Sequence, residues 1–356
     1  MQKVVAEISL RTIEENARFW KERTKNLLYA VVKDDAYGHG AAETACALDR
    51  VADAFAVANI DEAVALLSVT DKDILVLTPP ATKEEAIEIV SRGCILTADG
   101  AFSACAAARA AEYAPDKTAR VHLKANTGMN RYGSSYGAFR RTCEILKTAK
   151  NVRVEGIFSH LAGITNRENA AAQRDRFTEH CAIAEEYFPR LIRHLSATAG
   201  ACLDESFYFD AVRIGLGLYG YLPDGCLPLV AVKRGKEGKA FSPVKIAMKA
   251  YARVVKSGVY RFGTLGYGDT AGVSGEKFHV TGAGYGGGFF RREKNGMAGG
   301  VNIGAPCMDA TLRSGGAVRG KREAVLLNAA ATAAEAGTIP YEVLCAVGKN
   351  AERIYV

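Results

Sequence analysis

Short apolar runs alternate with longer amphipathic segments over the first two thirds of the chain. Eight apolar, β-branched runs predict strands at residues 27–33, 54–59, 73–78, 94–98, 120–126, 154–160, 194–199 and 212–218. Helical spacing of apolar residues predicts helices at 41–50, 61–69, 83–92, 101–113 and 138–147. Continuous hydrophobic strands separated by helices are typical of a parallel sheet covered by helices. Eight such units favour a closed (β/α)8 barrel of the TIM type, with an open doubly wound sheet as the alternative.

The pattern changes after about residue 230. Residues 233–239 are rich in lysine and glycine and predict an exposed connector, whereas 244–256, 279–281 and 324–327 predict strands between glycine-dense turns. We therefore predict an α/β protein of two domains: a barrel over residues 1–232 and a smaller, mainly β domain over 233–356. Residues 1–9 are the part of the first domain that could join the second.

Composition narrows the class of protein. The chain has 356 residues, 49% of them hydrophobic and 24% charged, which excludes a disordered or fibrous protein and suits two domains. No apolar run reaches the roughly 20 residues of a membrane span, and residues 1–25 do not resemble a secretory signal. The nine cysteines form no CxxC pair, which predicts reduced thiols, no zinc site and a cytoplasmic location.

The net charge of +7 is a modest excess, and the basic residues are dispersed without interleaved aromatic residues. This distribution argues against a nucleic-acid partner. It favours the attraction of a small anionic ligand or cofactor into a cleft.

Polar residues with useful chemistry recur near the ends of the predicted strands. They are Lys33, Asn126, His160, Thr198 and Arg213. In a barrel the carboxyl ends of the strands share one mouth, where catalytic groups gather. A lysine in partly apolar surroundings becomes a usable amine, so Lys33 is a candidate for Schiff-base chemistry. Taken alone, it is better explained as a lysine that reaches water from an apolar strand end.

The segment Val-Val-Lys-Asp-Asp-Ala-Tyr-Gly-His-Gly at residues 31–40 closely resembles the pyridoxal-phosphate motif of the alanine racemase family, Val-Lys-Ala-Asn-Ala-Tyr-Gly-His-Gly. Asp34 and Asp35 depart from that form. Further segments are similar to family motifs and follow in the family's order: 6–10, 122–133, 154–160, 212–220, 304–309 and 338–345. Several specific motifs in one order are a much stronger signal than any single glycine pattern.

The resemblance implies a role for each matching residue. Lys33 would hold pyridoxal 5'-phosphate as a Schiff base and act as the base on one face of the substrate. Tyr37, Thr198 and the backbone at Gly215 and Leu216 would bind the phosphate, since free N–H groups are good anion donors. His160 would lie against the pyridine ring.

The resemblance places Arg213 opposite the ring nitrogen. Guanidinium keeps its proton near neutral pH and can only donate a hydrogen bond to an unprotonated pyridine nitrogen. The ring is then a weaker electron sink than one paired with a carboxylate. This arrangement favours racemisation over transamination or decarboxylation.

Racemisation also needs a proton donor on the opposite face of the α-carbon. The family supplies a tyrosine from the partner subunit, which implies a head-to-tail homodimer. Two tyrosines lie in glycine-rich turns, Tyr267 and Tyr285. Tyr267 occupies the family's base motif and is assigned as the base, whereas Tyr285 is assigned to the wall of the site.

A second group of residues is assigned to the carboxylate of the substrate. In many relatives the lysine equivalent to Lys124 is carbamylated and binds the arginine equivalent to Arg131, which contacts the cofactor ring and the substrate. An unmodified Lys124 with a bound chloride is the alternative. Met308 and Asp309 would contact the carboxylate region from the partner chain.

Several positions depart from the family pattern. Ala197 replaces an asparagine of the phosphate segment, Gly287 replaces an aspartate, and the entrance positions carry Thr165 and Ala305 in place of an aspartate and an arginine. Lys349 stands at or beside the position of a gate tyrosine. Lys349 would then supply a cation near the phosphate or in solvent. Alternatively, its flexible side chain would open the pocket to serine or to an acidic substrate.

The sequence thus predicts a pyridoxal-phosphate-dependent racemase acting on alanine, with Lys33 and Tyr267 as opposed bases. The alternatives are a racemase for another amino acid, a decarboxylase of similar architecture and a non-catalytic protein that binds the cofactor. Arg213 argues against the decarboxylase, and the additional domain argues against the non-catalytic protein.

Overall fold

The computed structural model describes residues 4–234, 239–267, 272–292 and 302–356. Its strands are β1 Val5–Ile8, β2 Leu27–Val31, β3 Ala54–Val57, β4 Asp73–Val76, β5 Leu96–Ala98, β6 Ala119–Lys124, β7 Val152–Phe158, β8 Ile192–His194, β9 Ala211–Ile214, β10 Val232–Arg234, β11 Lys239–Phe241, β12 Met248–Val259, β13 Lys277–Thr281, β14 Thr311–Ser314, β15 Arg322–Leu326 and β16 Glu352–Tyr355. Its helices are α1 Leu10–Thr24, α2 Ala41–Leu48, α3 Ile60–Leu67, α4 Lys83–Ser91, α5 Ala101–Tyr113, α6 Tyr136–Thr148, α7 Arg167–Glu185, α8 Thr198–Ala201, α9 Leu227–Val230, α10 Ala329–Ala336 and α11 Pro340–Asn350.

The chain divides into two compact units. The barrel unit comprises Glu14–Lys33 and Ala42–Lys245, and the β unit comprises Met1–Ile13, Asp34–Ala41 and Ile246–Val356. The domain bounds drawn from the sequence, 1–232 and 233–356, stay a prediction. None of the helices that the structure describes is long and apolar enough to cross a membrane.

The barrel unit is a ring of eight parallel strands. Hydrogen-bonded pairs run from β4 through β3 and β2 to β9, and from β5 through β6 and β7 to β8. Two parallel bridges connect these halves, Leu75 with Ile95 and Ala197 with Arg213. The predicted (β/α)8 barrel is confirmed, and the open sheet is not what forms.

Local sequence explains the regular alternation of strand and helix. All four residues of β3 are buried, as expected for a strand covered on both faces. Three helices of the barrel unit begin at a side chain that accepts a hydrogen bond from a backbone N–H of the first turn. These N-caps are Asn59 of α3, Thr82 of α4 and Asn166 of α7.

The last two barrel strands end earlier than the sequence predicts. The predicted strand 194–199 ends at His194, and Thr198 begins the short helix α8 instead. The predicted strand 212–218 ends at Ile214 and gives way to a 3₁₀ turn at Leu216–Tyr219. The Thr198 hydroxyl lies 3.3 Å from the backbone nitrogen of Gly215 and 3.2 Å from that of Gly217, so it accepts N–H groups that a strand ladder would have used.

The β unit is built on one six-stranded sheet. Its order is β14-β13-β12-β1-β16, with β15 paired to β12. The long strand β12 alternates buried residues with exposed or half-buried ones over its first seven positions, which is typical of a sheet with one covered face. The carboxyl-terminal part of the β unit also contains the helices α10 and α11, which the sequence pattern did not predict. The predicted connector, residues 233–239, begins within strand β10 and reaches the first residue of strand β11, and these two strands pair with each other. Residues 235–238 lie outside the described part.

Candidate active site

Lys33 lies at the carboxyl end of a barrel strand. It follows β2 by two residues, after Val32, whose backbone nitrogen donates to Ala56 at 3.0 Å. Its side chain is half-buried and forms no hydrogen bond or ion pair with any residue that the structure describes. The strand thus presents an amine at the place where barrel enzymes carry their reactive groups.

Arg213 is buried in the same mouth and held by carbonyl groups. One terminal nitrogen donates to the carbonyl oxygen of His194 at 2.6 Å and to the Nδ1 of that histidine at 3.0 Å. The other donates to the carbonyl oxygens of Ser159 at 2.5 Å and Leu195 at 3.1 Å. Within the described part of the chain the Nε–H is the one guanidinium donor without a partner. Burial lowers the pKa of Arg213 to about 9, so the group stays protonated at neutral pH.

The contacts of Arg213 determine the tautomers of two buried histidines. Because guanidinium only donates, Nδ1 of His194 accepts, and its Nε2 therefore carries the proton. That Nε2 donates to Nδ1 of His122 at 2.9 Å, which leaves the Nε2–H of His122 buried without a partner. Burial lowers the pKa of His122 to about 3 and that of His194 well below its usual range, the Arg213 charge adding to the effect. The ring of His194 is stacked between Tyr29 and Phe158, at 5.2 and 5.0 Å between centroids.

Positive charge surrounds His160. Burial, followed by the charges of Arg213, Lys124, Arg131 and Lys33, holds the pKa of this histidine well below its ordinary value. The structure therefore brings five of the predicted site residues into one electrostatic neighbourhood, with His160 present as a neutral ring.

Lys124 is the buried member of this group. It is 6% exposed, and its Nζ lies 4.4 Å from the centroid of the Phe158 ring. Burial lowers its pKa well below the usual value, and the charges of Arg213 and Arg131 act in the same direction. Arg131 is exposed and lies over the ring of Tyr132 at 5.7 Å.

The turns around Thr198 bring backbone groups close together. Thr198 is 2% exposed and holds the Gly215 and Gly217 nitrogens, while Leu216 is buried between them. A Cβ on Gly217 would lie 2.6 Å from the indole nitrogen of Trp20, so only glycine fits there. Ala197 is the N-cap of α8 and has no side-chain acceptor for that position. Thr165, of the predicted entrance, is exposed.

The residues assigned to the second base lie in the β unit. Tyr267 forms an antiparallel bridge with Ala305, and its ring is 59% exposed below the guanidinium of Arg291 at 5.5 Å. The turn at Tyr285 and Gly287 is held by a hydrogen bond of 3.0 Å from the Tyr285 nitrogen to the carbonyl oxygen of Cys307. Residues 268 and 269 of the Tyr267 motif lie outside the described part.

The same segment carries the residues assigned to the substrate carboxylate. The carbonyl oxygen of Met308 accepts from Gly286 at 2.9 Å, and both Met308 and Asp309 are exposed. The β unit therefore displays Tyr267, Tyr285, Met308 and Asp309 on one connected set of turns.

Tyr37 and Lys349 also belong to the β unit. Tyr37 is 6% exposed, and its ring lies 5.8 Å from that of Tyr341 in α11. Lys349, near the end of the same helix, lies 3.2 Å from the carboxylate of Asp34.

The donor set suits a pyridine ring that carries an aldehyde and a phosphate. Lys33 supplies an uncommitted amine, the Nε–H of Arg213 can donate to a ring nitrogen, and His160 is a neutral ring that can lie against the pyridine. Among the described residues no cluster of histidine, cysteine, aspartate and glutamate could hold a metal ion.

Sequence reasoning assigned no role to His122, His194, Tyr29 or Phe158. His122 stands between the apolar residues Val121 and Leu123 of β6, and a polar ring in that position was the available signal. Nothing in the spacing of residues 122 and 194 shows that they meet, because only the order of the strands in the folded barrel brings β6 and β8 close together.

A barrel that gathers an amine, a buried guanidinium and a neutral histidine at its strand ends defines an enzyme of the barrel class that handles an anionic cofactor. The family model for the alanine racemase N-terminal domain matches residues 8–223. The chain belongs to the alanine racemase family. The predicted family is thus confirmed, and with it the class of pyridoxal-phosphate-dependent racemases.

Similar proteins cover the whole chain. The alanine racemase of Streptococcus uberis is 30% identical over 99% of this chain and 97% of its own length. That of Carboxydothermus hydrogenoformans is 30% identical over the full length of both chains. Among solved structures, the alanine racemase of Streptomyces coelicolor has a TM-score of 0.87 at 26% identity and covers 99% of this chain and 98% of its own. The fold of the Bartonella henselae alanine racemase with covalently bound pyridoxal phosphate matches with a TM-score of 0.85 at 24% identity, over all of both chains.

Proposed function

We propose that the protein interconverts L- and D-alanine with pyridoxal 5'-phosphate, using Lys33 and Tyr267 of the partner subunit as opposed bases. The observation that carries the proposal is that Lys33, at the carboxyl end of a barrel strand, acts electrostatically on His160 together with Lys124, Arg131 and Arg213. The names of the full-length relatives support alanine as the substrate.

The bound cofactor supplies an electron-withdrawing ring that acidifies the α-proton of the amino acid. Lys33 removes or returns this proton on one face, and Tyr267 of the partner subunit does so on the other. By the family resemblance, Thr198, Tyr37 and the turn at Gly215 and Leu216 would hold the phosphate. His160 supports the ring without adding charge, because its pKa lies well below neutrality.

Arg213 favours racemisation among the reactions open to this cofactor. Four of its hydrogen bonds fix the guanidinium plane, and its remaining Nε–H is a donor for an unprotonated ring nitrogen. A neutral ring nitrogen would withdraw fewer electrons than a protonated one, which would favour return of the proton to the α-carbon. A decarboxylase would need a carboxylate at this position.

Lys124 has the properties of a site of carbamylation. Its lowered pKa raises the share of neutral amine, whose lone pair can attack carbon dioxide to form a C–N bond with release of one proton. The resulting anion would be a bidentate partner for Arg131, and it would neutralise the excess positive charge around His160.

The exposed turns of the β unit support a homodimer with a shared site. Tyr267 and Met308 are 59% and 56% exposed, and Phe262 is 88% exposed. A partner subunit would cover these side chains and bring Tyr267, Tyr285, Met308 and Asp309 to its own Lys33.

Spectroscopy of the purified protein tests the cofactor assignment. Wild-type protein should show an absorbance band near the visible edge that borohydride removes, whereas Lys33→Ala should lack it. Initial rates with alanine, serine, glutamate and lysine then test the substrate. Absence of the band after addition of cofactor would defeat the proposal, and release of carbon dioxide would favour the decarboxylase.

A further inference from the structure

The backbone that follows Lys33 has an unusual conformation. Asp34, Asp35, Ala36 and Tyr37 all have positive φ angles, between 52° and 54°, and form one left-handed turn. For L-residues this conformation costs about 1–2 kcal/mol each, and aspartate tolerates it better than most. Such a turn persists only where its surroundings hold it.

Two charged contacts fasten this turn to the carboxyl-terminal end of the chain. A carboxylate oxygen of Asp34 lies 3.2 Å from the Lys349 ammonium, near the end of α11. Arg353, in β16, donates to one oxygen of Asp35, and the other oxygen accepts from the backbone nitrogen of Ala41 at 2.8 Å.

A close approach of two glycines completes the contact. A Cβ on Gly348 would lie 2.2 Å from the carbonyl oxygen of Gly38, and one on Gly38 would lie 2.9 Å from the Cα of Gly348. The backbones of the turn and of α11 therefore touch directly, which places Lys349 beside Asp34.

Asp34 and Lys349 are both departures from the family pattern. The motif that the chain resembles has alanine at the position of Asp34, and a tyrosine at or beside that of Lys349. The two positions are 315 residues apart in the sequence and form one ion pair in the structure. The two departures from the motif therefore meet in the structure, as an acidic and a basic side chain.

We propose that Asp34 and Lys349 form an ionic latch that holds the left-handed turn and so positions Lys33, to which Asp34 is directly bonded in the chain. The inference rests on the proposed function for the role of Lys33. It makes Lys349 a positioning residue that affects cofactor affinity, rather than a cation that selects acidic substrates.

The geometry favours this role over an opened pocket. The Asp34 carboxylate already compensates the Lys349 ammonium, so an acidic substrate would have to displace it. Both side chains are about half exposed, at 50% and 56%, so the pair is weak and screened by salt.

Four proteins test the latch: the wild type, Asp34→Asn, Lys349→Met and the double variant. Asparagine tolerates the left-handed conformation as aspartate does, so Asp34→Asn removes the charge without straining the turn. Lys349→Met retains most of the apolar stem. The pair Lys245 and Glu15, 2.9 Å apart on the surface of the barrel unit, provides the matched control through Lys245→Met.

The main measurement is the dissociation constant of pyridoxal phosphate, from absorbance titration of each protein after removal of the cofactor. Each single variant should raise it about two- to fivefold, and the double variant no further, as expected for one exposed pair. Salt at about 1 M, where screening acts over about 3 Å, should weaken binding by the wild type to the level of the variants. Lys245→Met should leave the constant unchanged.

Three results would overturn the latch: additive effects in the double variant, unchanged cofactor affinity, or selective loss of glutamate conversion in Lys349→Met. Urea unfolding of the same four proteins separates the latch from the proposed function. If wild-type protein binds no cofactor, the proposed function fails, while coupling between Asp34 and Lys349 in the unfolding midpoints still reports the latch. Absence of that coupling overturns the latch even where cofactor binds.

Discussion

At the scale of single residues, the barrel mouth holds several basic groups whose pKa values are lowered by burial. Lys33, Lys124, Arg131 and Arg213 crowd around His160, and burial together with their mutual repulsion disfavours protonation of Lys124 and His160. The mouth therefore combines a neutral histidine and a lysine of lowered pKa with a guanidinium that remains charged. That combination suits proton transfer beside an anionic cofactor.

The two hydrogen-bonded histidines next to Arg213, His194 and His122, predict that the stability of the fold is sensitive to acid. The unfolded chain protonates His122 near pH 6.5, whereas the folded protein does so only near pH 3. Between these values the unfolded state binds more protons, so the free energy of unfolding should fall as pH drops, by up to about 1.4 kcal/mol per pH unit for this histidine. Urea denaturation at several pH values measures the slope. His122→Asn should reduce it, and an unchanged slope would show that His122 does not titrate in this way.

The charge state of Lys124 gives a second test at this scale. Mass spectrometry of the native protein in bicarbonate buffer should show one added carbon dioxide, lost on acidification. Lys124→Arg should never carry it and should weaken substrate binding, because Arg131 then lacks an anionic partner. An unmodified wild-type protein that binds chloride at this position would contradict the carbamate.

At the scale of elements, the sequence predicted the order of strands and helices better than their ends. Buried apolar runs such as β3 mark barrel strands, because both faces of such strands are covered. The strands β8 and β9 end early because Thr198 takes the backbone N–H groups of Gly215 and Gly217, a contact between residues 17 and 19 positions apart that no local pattern contains. For the same reason, the contact of His122 with His194 could not be predicted from the sequence. Motifs located Lys33, His160 and Arg213 correctly at strand ends.

Two glycines on helices should respond oppositely to alanine. A Cβ at Gly348 of α11 would overlap the Gly38 carbonyl at 2.2 Å, so Gly348→Ala should destabilise the protein by about 1–3 kcal/mol. Gly137 of α6 has open space around it, so Gly137→Ala should stabilise by about 0.5–1 kcal/mol. Chemical denaturation of both variants measures the difference. Equal effects would contradict the direct contact between α11 and the turn.

At the scale of the whole molecule, the proposed assembly makes each active site depend on two chains. Tyr267 and Met308 are exposed on the β unit of a single chain, although their assigned roles are in catalysis. A homodimer would account for both their exposure and their assigned roles, because the partner would cover these residues and complete its own active site with them.

Mixing two inactive variants tests the shared site. Lys33→Ala and Tyr267→Phe should each be strongly impaired, but a mixed dimer contains one site with both bases intact. With random exchange of subunits, half of the dimers are mixed and each has one of two sites, so about a quarter of the wild-type activity should return. Either variant mixed with itself is the control. No recovery after verified exchange would place both bases in one chain.

The most direct test of the central claim follows the enantiomers of alanine in the presence of holoprotein by chiral chromatography. We expect L-alanine and D-alanine, incubated separately, to converge on equal amounts of the two forms, with no loss of total alanine and no activity in Lys33→Ala. Protein that shows the cofactor band but leaves both enantiomers unchanged would contradict the assignment.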